Sequence, residues 1–210
     1  MQAMSITQLY AKRRNILPFE GLFLRSFGSP EITGTWLIWG PSGSGKTSLA
    51  LQLVKYLASF EGNRIAYNSL EEADGESIKI AFQRAGMDEC KRKVILLPSE
   101  PIEDMKERLR KHKSPNIVVI DSLQYSGLTY KEYKAMRDEF RNKLFIIISH
   151  ADGKLPDGAV GKKVRYDSFI KIHVEGYRAF VTSRYGGGEP FIISEDLASQ
   201  YWGIEQNLNS

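Results

Sequence analysis

The 210-residue sequence predicts an α/β fold with a mainly parallel central sheet, helices on its flanks and an antiparallel β-hairpin extending it near the C-terminus. Three observations lead there. Strand-like apolar runs alternate with segments of helical period through most of the chain. Two of these runs, residues 117–120 and 144–148, are apolar without a break, as strands covered on both faces require. Residues 169–184 alternate in polarity, turn at Glu175-Gly176-Tyr177-Arg178 and alternate again, which is a hairpin pattern. Parallel neighbours need crossover connections, and the intervening helical segments supply them with right-handed geometry.

Taken in order, Ser5 is placed to cap a short helix running to Arg14, and Leu17-Pro18-Phe19-Glu20-Gly21 breaks any helical period. This front segment is expected against the core or a neighbouring subunit. Residues 35–39 form an apolar strand, and residues 49–58 a buried helix. A second strand covers residues 64–69, with a loop over residues 70–75 at its carboxyl end. Ile78, Ala81, Phe82 and Ala85 mark an amphipathic helix that Gly86 ends. A third strand at residues 93–97 precedes a helix opened by Pro101, with Ile102, Met105 and Leu109 on one face and Arg108, Arg110, Lys111 and Lys113 at its solvated end. Residues 116–121 form a fourth strand, ending abruptly in Asp121. Thr129 and Glu132 have capping-box spacing before a helix bearing Tyr133, Met136 and Phe140. A fifth strand at 144–149 ends at His150, and residues 151–161, with three glycines, one proline and no period, read as a mobile loop. After the hairpin, residues 190–193 add a last strand.

This length suits one domain: a helix and linker over residues 1–30, a core over 31–194 and a C-terminal tail over 195–210. The single Cys90 excludes an intramolecular disulfide and a thiolate zinc site. No apolar run is long enough to span a membrane, and the first residues lack a signal-peptide pattern, so no membrane partner and a cytoplasmic location are expected. A net charge of +4 and a pI near 9.0 permit nucleic-acid binding without establishing it.

Gly40-Pro41-Ser42-Gly43-Ser44-Gly45-Lys46-Thr47 satisfies the phosphate-loop pattern G-x-x-x-x-G-K-[ST] between a strand and a helix. The glycines let backbone N–H groups turn onto phosphate oxygens while the following helix aims its positive end at the same anion. The expected ligands are ATP and Mg²⁺, held by residues 40–48, including Ser48, with Lys46 on the β- and γ-phosphates and Thr47 on the metal. Asp121 has two readings, a Mg²⁺ ligand acting through water or a carboxylate capping the turn at Ser122. Glu71 and Glu72, after a strand end, are placed either to orient an attacking water or as an ordinary acidic turn. His150 reads equally as a γ-phosphate sensor and as a strand-end histidine, whereas His173 reads as structural or exposed.

In this order the residues resemble the RecA-like ATPases, and the likeness is greatest to the ATPase domain of the bacterial RadA (Sms) group. It rests on the phosphate loop, Tyr67-Asn68-Ser69-Leu70-Glu71-Glu72, Val119-Ile120-Asp121-Ser122-Leu123-Gln124, Ser149-His150-Ala151-Asp152-Gly153 and Val181-Thr182-Ser183-Arg184-Tyr185-Gly186. The resemblance spans roughly residues 20 to 194. It implies a RecA-like P-loop NTPase fold and a homo-oligomeric ring or filament with nucleotide sites completed between subunits. It further implies that Glu71 is the general base, His150 the γ-phosphate sensor, Arg184 a finger supplied in trans, and the loop bearing Lys154, then Lys162, Lys163 and Arg165, a DNA contact; solvated loop charge is the plain alternative for those cations. RadA's zinc module and protease-like domain have no counterpart in this sequence, and Thr182 stands where the family has lysine. The expectation is a compact accessory ATPase acting on DNA in recombination, repair or replication, of the kind a phage or mobile element encodes. The alternative is a nucleotide-switched regulatory module with slow turnover and a protein partner.

Overall fold

The computed structural model describes residues 3–208. Its centre is a mixed, mostly parallel sheet built from β1 (Gly34–Gly40), β2 (Ile65–Ser69), β3 (Val94–Pro98), β4 (Ile117–Asp121), β5 (Leu144–Asp152), β6 (Leu155–Pro156), β7 (Ile170–Glu175), β8 (Arg178–Ser183) and β9 (Phe191–Ile192). Across the sheet the order is β3-β2-β4-β5-β1-β7-β8-β9, with β6 paired to β5. β7 joins β1 in parallel, and β8 and β9 then extend that side antiparallel, as the alternating hairpin pattern predicts.

Period-two alternation sends neighbouring residues of each central strand into opposite layers. Trp36 and Ile38 of β1, Ile117 and Val119 of β4, and Leu144, Ile146 and Ile148 of β5 enter one core. Leu37 and Trp39, Val118 and Ile120, and Phe145 and Ile147 enter the other. The first layer is covered by α2 (Gly21–Phe27), α3 (Lys46–Ser59) and α4 (Glu76–Arg84), the second by α5 (Ile102–Arg110), α6 (Tyr130–Glu139) and α7 (Gly158–Asp167). The capping box at Thr129 and Glu132 is present, as is a second at Ser5 and Gln8 opening α1 (Ile6–Ala11), which stops short of Arg14.

Three segments fold differently from their sequence pattern. Residues 17–27 are more than a linker: Phe19 is buried among Phe23, Phe27, Trp36, Tyr56 and Phe60, and that ring cluster holds the short helix α2, which has no side-chain cap of its own. Residues 151–161 are a folded corner, not an irregular loop. Ala151 and Asp152 pair with Pro156 and Leu155, the Trp39 Nε1–H donates to the Lys154 carbonyl at 3.2 Å, and α7 starts at Gly158. The glycines that suggested mobility have specific uses: Gly153 takes the left-handed turn (φ 59°), and a Cβ on Gly161 would lie 3.1 Å from Pro156. Residues 195–208 form a helix, α8, that docks through the Trp202 Nε1–H, a donor to the Gly176 carbonyl at 3.1 Å.

Gly40 closes β1 where no side chain fits, because a Cβ there would stand 2.1 Å from the Val174 carbonyl oxygen of β7. Gly40→Ala should therefore lower stability by about 1–3 kcal/mol or more, read as a fall in the urea unfolding midpoint.

Candidate functional site

Parallel register brings the chemistry to one edge of the sheet. Ser69 pairs with Asp121, Asp121 with Ile148, and Gly40 with His150, so the carboxyl ends of β2, β4, β5 and β1 lie side by side. The Leu70 and Glu71 N–H groups both donate to the Asp121 carbonyl, at 2.6 and 3.2 Å, which fixes the turn after β2 against the end of β4. His150 is held from behind, its N–H donating to Gln124 Oε1 at 3.1 Å.

The glycine loop between β1 and α3 has a defined shape. Gly43 and Gly45 take left-handed backbone angles (φ 71° and 102°), and a Cβ on Gly45 would come within 2.9 Å of the Tyr177 ring. Tyr177, in the β7–β8 turn, donates its N–H to the Ser44 carbonyl at 3.1 Å. α3 then opens at Lys46, and its first-turn N–H groups have no acceptor within the helix. Lys46 Nζ donates to the Pro41 carbonyl at 2.7 Å, folding back over the loop. Ser42, Gly43, Lys46 and Thr47 form one wall of a cleft of about 400 Å³, and Glu71, Glu72, Asp121, Ser122 and His150 form the other. Ser48 lies outside it, lining a smaller recess of about 210 Å³ with Gly45 and Tyr177.

Glu71 is the best-anchored carboxylate on the far wall. Its Oε2 lies 3.1 Å from His150 Nε2 and accepts from the Ser122 hydroxyl at 3.2 Å. Asp121 sits on the floor, with Tyr67 donating its hydroxyl to Oδ2. Burial pushes the Asp121 carboxyl up to about 6; the Tyr67 bond and Lys46 oppose that, while Glu71 and Glu72 add to it. Burial also lowers Lys46 below its ordinary value, against the pull of Asp121 and Glu71. The same carboxylates, after burial, raise the Tyr67 phenol well above its usual range and keep it a donor. The cleft thus collects charged groups in surroundings that disfavour their charge.

No protein-family model matches this chain, and no curated protein matches it. The site therefore stands on its geometry.

Of the residues singled out from sequence, those of the glycine loop from Ser42 to Thr47, together with Glu71, Glu72, Asp121 and His150, line or frame the cleft. Arg184 does not. Its N–H donates to the Phe169 carbonyl and its guanidinium lies 4.9 Å from the centre of the Phe169 ring. Ser183 pairs with Ile170 and Ile170 with Trp36, so Arg184 sits toward the opposite sheet edge, roughly 16 Å from Gly40 by strand rise. Lys162, Lys163 and Arg165 all lie on α7: Lys162 pairs with Asp152 at 3.5 Å, Lys163 lies over the Tyr130 ring and Arg165 over the Trp39 ring. Tyr67 and Gln124 lie within the stretches that carry the family likeness, but their roles, Tyr67 as a hydroxyl donor to Asp121 and Gln124 as the brace behind His150, have no signature in spacing or residue type. Among the described residues no group of three or more His, Cys, Asp and Glu side chains forms a metal cage.

An acid with a raised native pKa binds its proton more tightly folded than unfolded, so stability falls as pH rises between about 4 and 6. Asp121→Asn removes this penalty. In the metal-free, nucleotide-free protein, chemical unfolding should show the variant gaining on the parent by about 2 kcal/mol between pH 4 and pH 7, after allowing for the partly open surface of Asp121.

Proposed function

We propose that this protein is a Mg²⁺-dependent ATPase of the RecA-like P-loop type that works as an oligomer and acts on DNA. The observation carrying the reading is the convergence on one cleft of Lys46 and Thr47 from the loop with Asp121 and a Glu71 carboxylate fixed by His150 and Ser122. The loop suits a triphosphate: left-handed glycines, the free first-turn N–H groups of α3, and a partly desolvated Lys46 whose partner is a single backbone carbonyl that phosphate oxygens can replace. The floor suits a divalent cation, because Asp121 is a carboxylate whose ionised form wants a nearby positive charge. Thr47 would hold Mg²⁺ directly and Asp121 through water, and the metal would neutralise charge on the phosphate oxygens.

Glu71 then has the position of the base. It takes the proton of a water whose oxygen attacks the γ-phosphorus as the bond to the bridging oxygen breaks and ADP leaves. Glu72 lines the same wall without the two contacts that orient Glu71. His150 touches both the cleft and Glu71, so a γ-phosphate engaging the imidazole would re-aim the carboxylate. That contact also serves a second reading, a nucleotide-switched module whose output is a protein contact, and turnover separates the two. Arg184 lies too far from its own cleft to act there, so a finger role requires a neighbouring copy.

Glu71→Gln should leave ATP binding intact and lower kcat by about 10²- to 10⁴-fold, measured as phosphate release beside nucleotide binding by calorimetry. Lys46→Ala should lose both. If Glu72→Gln is the slow variant and Glu71→Gln turns over normally, the base is misassigned; full-rate hydrolysis by Lys46→Ala removes the proposed mechanism. Arg184→Ala and Lys46→Ala proteins, each inactive, should recover activity when mixed, because a mixed oligomer contains sites with both groups intact. Absence of recovery at every ratio argues against a shared site.

A further inference from the structure

Four rings form a row from the buried Trp39 outward across the C-terminal sheet extension. Trp39 of β1 lies 5.5 Å from His173 of β7, His173 6.3 Å from Phe180 of β8, and Phe180 6.1 Å from Trp202 of α8, measured between ring centres. His173 and Phe180 are cross-strand partners, and Lys171 with Thr182 and Glu175 with Arg178 flank them in register. The alternate residues Ile170, Ile172, Val174, Ala179 and Val181 are buried in the α3 layer, so the ring-bearing side is the outward one. Phe180 is 38% exposed there.

This face carries positive charge that the protein does not neutralise. Arg165 lies over the Trp39 ring at 5.4 Å and Arg178 over the Trp202 ring at 5.1 Å. The Lys171 ammonium is lowered from its ordinary value first by burial and then by Arg165 and Arg184, and Lys154 and Arg165 press likewise on His173 after its burial, against Glu175. Among the described residues Lys154, Arg165, Lys171 and Arg178 enter no ion pair, and Glu175 is the one carboxylate in the β7–β8 row. Arg165 Nε, Arg178 Nε and His173 Nε2 are themselves buried and lack hydrogen-bond partners. Clustered cations repel one another, and an anionic partner relieves the repulsion. Rings interleaved with cations on an open strand surface match a ligand with both π-faces and a charged backbone.

We infer that this face binds single-stranded nucleic acid, with bases stacking on Phe180 and beside Trp202 and phosphates lying against Lys171, Lys154 and Arg178. A duplex keeps its bases stacked on one another and offers these rings only backbone. The inference rests on the nucleic-acid half of the reading above and is independent of ATP turnover.

Fluorescence anisotropy with labelled oligodeoxythymidine, oligouridine and a DNA duplex of equal length, across a salt series, tests it on the full chain. Phe180→Ala should weaken binding to the single strand by about tenfold, and Phe180→Trp should retain it. Lys171→Gln should reduce the slope of log K against log salt by roughly 0.7. Preference between the deoxy and ribo strands identifies the natural sugar, and either preference supports the face. Duplex bound as tightly as single strand overturns it. If the parent binds but both face variants bind equally well, while a Lys162→Ala, Lys163→Ala protein fails, the face is wrong and the nucleic-acid reading survives on α7. If the parent binds none of the three probes, both fall. A Phe180→Ala protein with unchanged binding but altered mass in solution makes the face a contact between copies and overturns the inference.

Discussion

The site depends on a packing constraint: β1, β2, β4 and β5 are covered on both faces, so the ionisable residues of β4 and β5, Asp121, His150 and Asp152, stand at the carboxyl ends. Within β4 the run Ile117 to Ile120 is fully buried, and its first carboxylate is Asp121. Register fixes the rest, since Ser69, Asp121 and Ile148 share one level and Gly40 and His150 another. A slip of one residue would turn each inward side chain to the opposite layer and carry Asp121 toward apolar packing, where an unpaired carboxylate is strongly unfavourable. The apolar strands therefore do more than form a core. They determine which polar groups meet.

What meets there is electrostatically unbalanced. Three carboxylates, Glu71, Glu72 and Asp121, face one lysine across a cleft of about 400 Å³. Burial favours the neutral forms of both Asp121 and Lys46, while Tyr67 offsets part of the cost for the carboxylate through its hydroxyl. A triphosphate entering alone would add negative charge beside groups already repelling one another, with Lys46 as the cation at hand. A divalent metal entering with it would reverse that sum and would favour the ionised form of Asp121. The charge arrangement is thus a physical argument for a metal–nucleotide pair over a free anion.

Local chemistry that follows sequence spacing was legible in the chain. The Thr129–Glu132 capping box, the glycine loop, the uninterrupted strands and the 169–184 hairpin all depend on near neighbours, and all have the expected form. Features created by distant pairing were not legible. α2 exists because Phe23 stacks on Tyr56 at 3.8 Å, and the 151–161 corner is held by Trp39, which reaches it from β1, while Pro156 packs against Gly161 within it. Composition there suggested mobility, since glycine marks flexible loops and tight close-packed turns alike. The site divides the same way: Glu71 and His150 stood out at strand ends, but their contact with each other, and the exclusion of Arg184 from this cleft, follow only from strand order. The row Trp39, His173, Phe180 and Trp202 is the extreme case, one residue from each of four elements.

The β7–β8 hairpin belongs to both surfaces, which limits how they can influence each other. Its tip is held from three directions: Tyr177 donates to the Ser44 carbonyl of the glycine loop, Ile193 after β9 donates to the Tyr177 carbonyl, and Trp202 of α8 donates to Gly176. Tyr177 itself takes a left-handed backbone angle (φ 58°), an unfavourable conformation for a ring-bearing residue that tertiary contacts must maintain. Its ring leaves no space for a side chain on Gly45. The loop cannot change shape on that side unless the hairpin moves, and the hairpin cannot move without breaking bonds to β9 and α8. The strands that display His173 and Phe180 are therefore a brace for the glycine loop, holding its left-handed backbone in place from the side opposite the carboxylates.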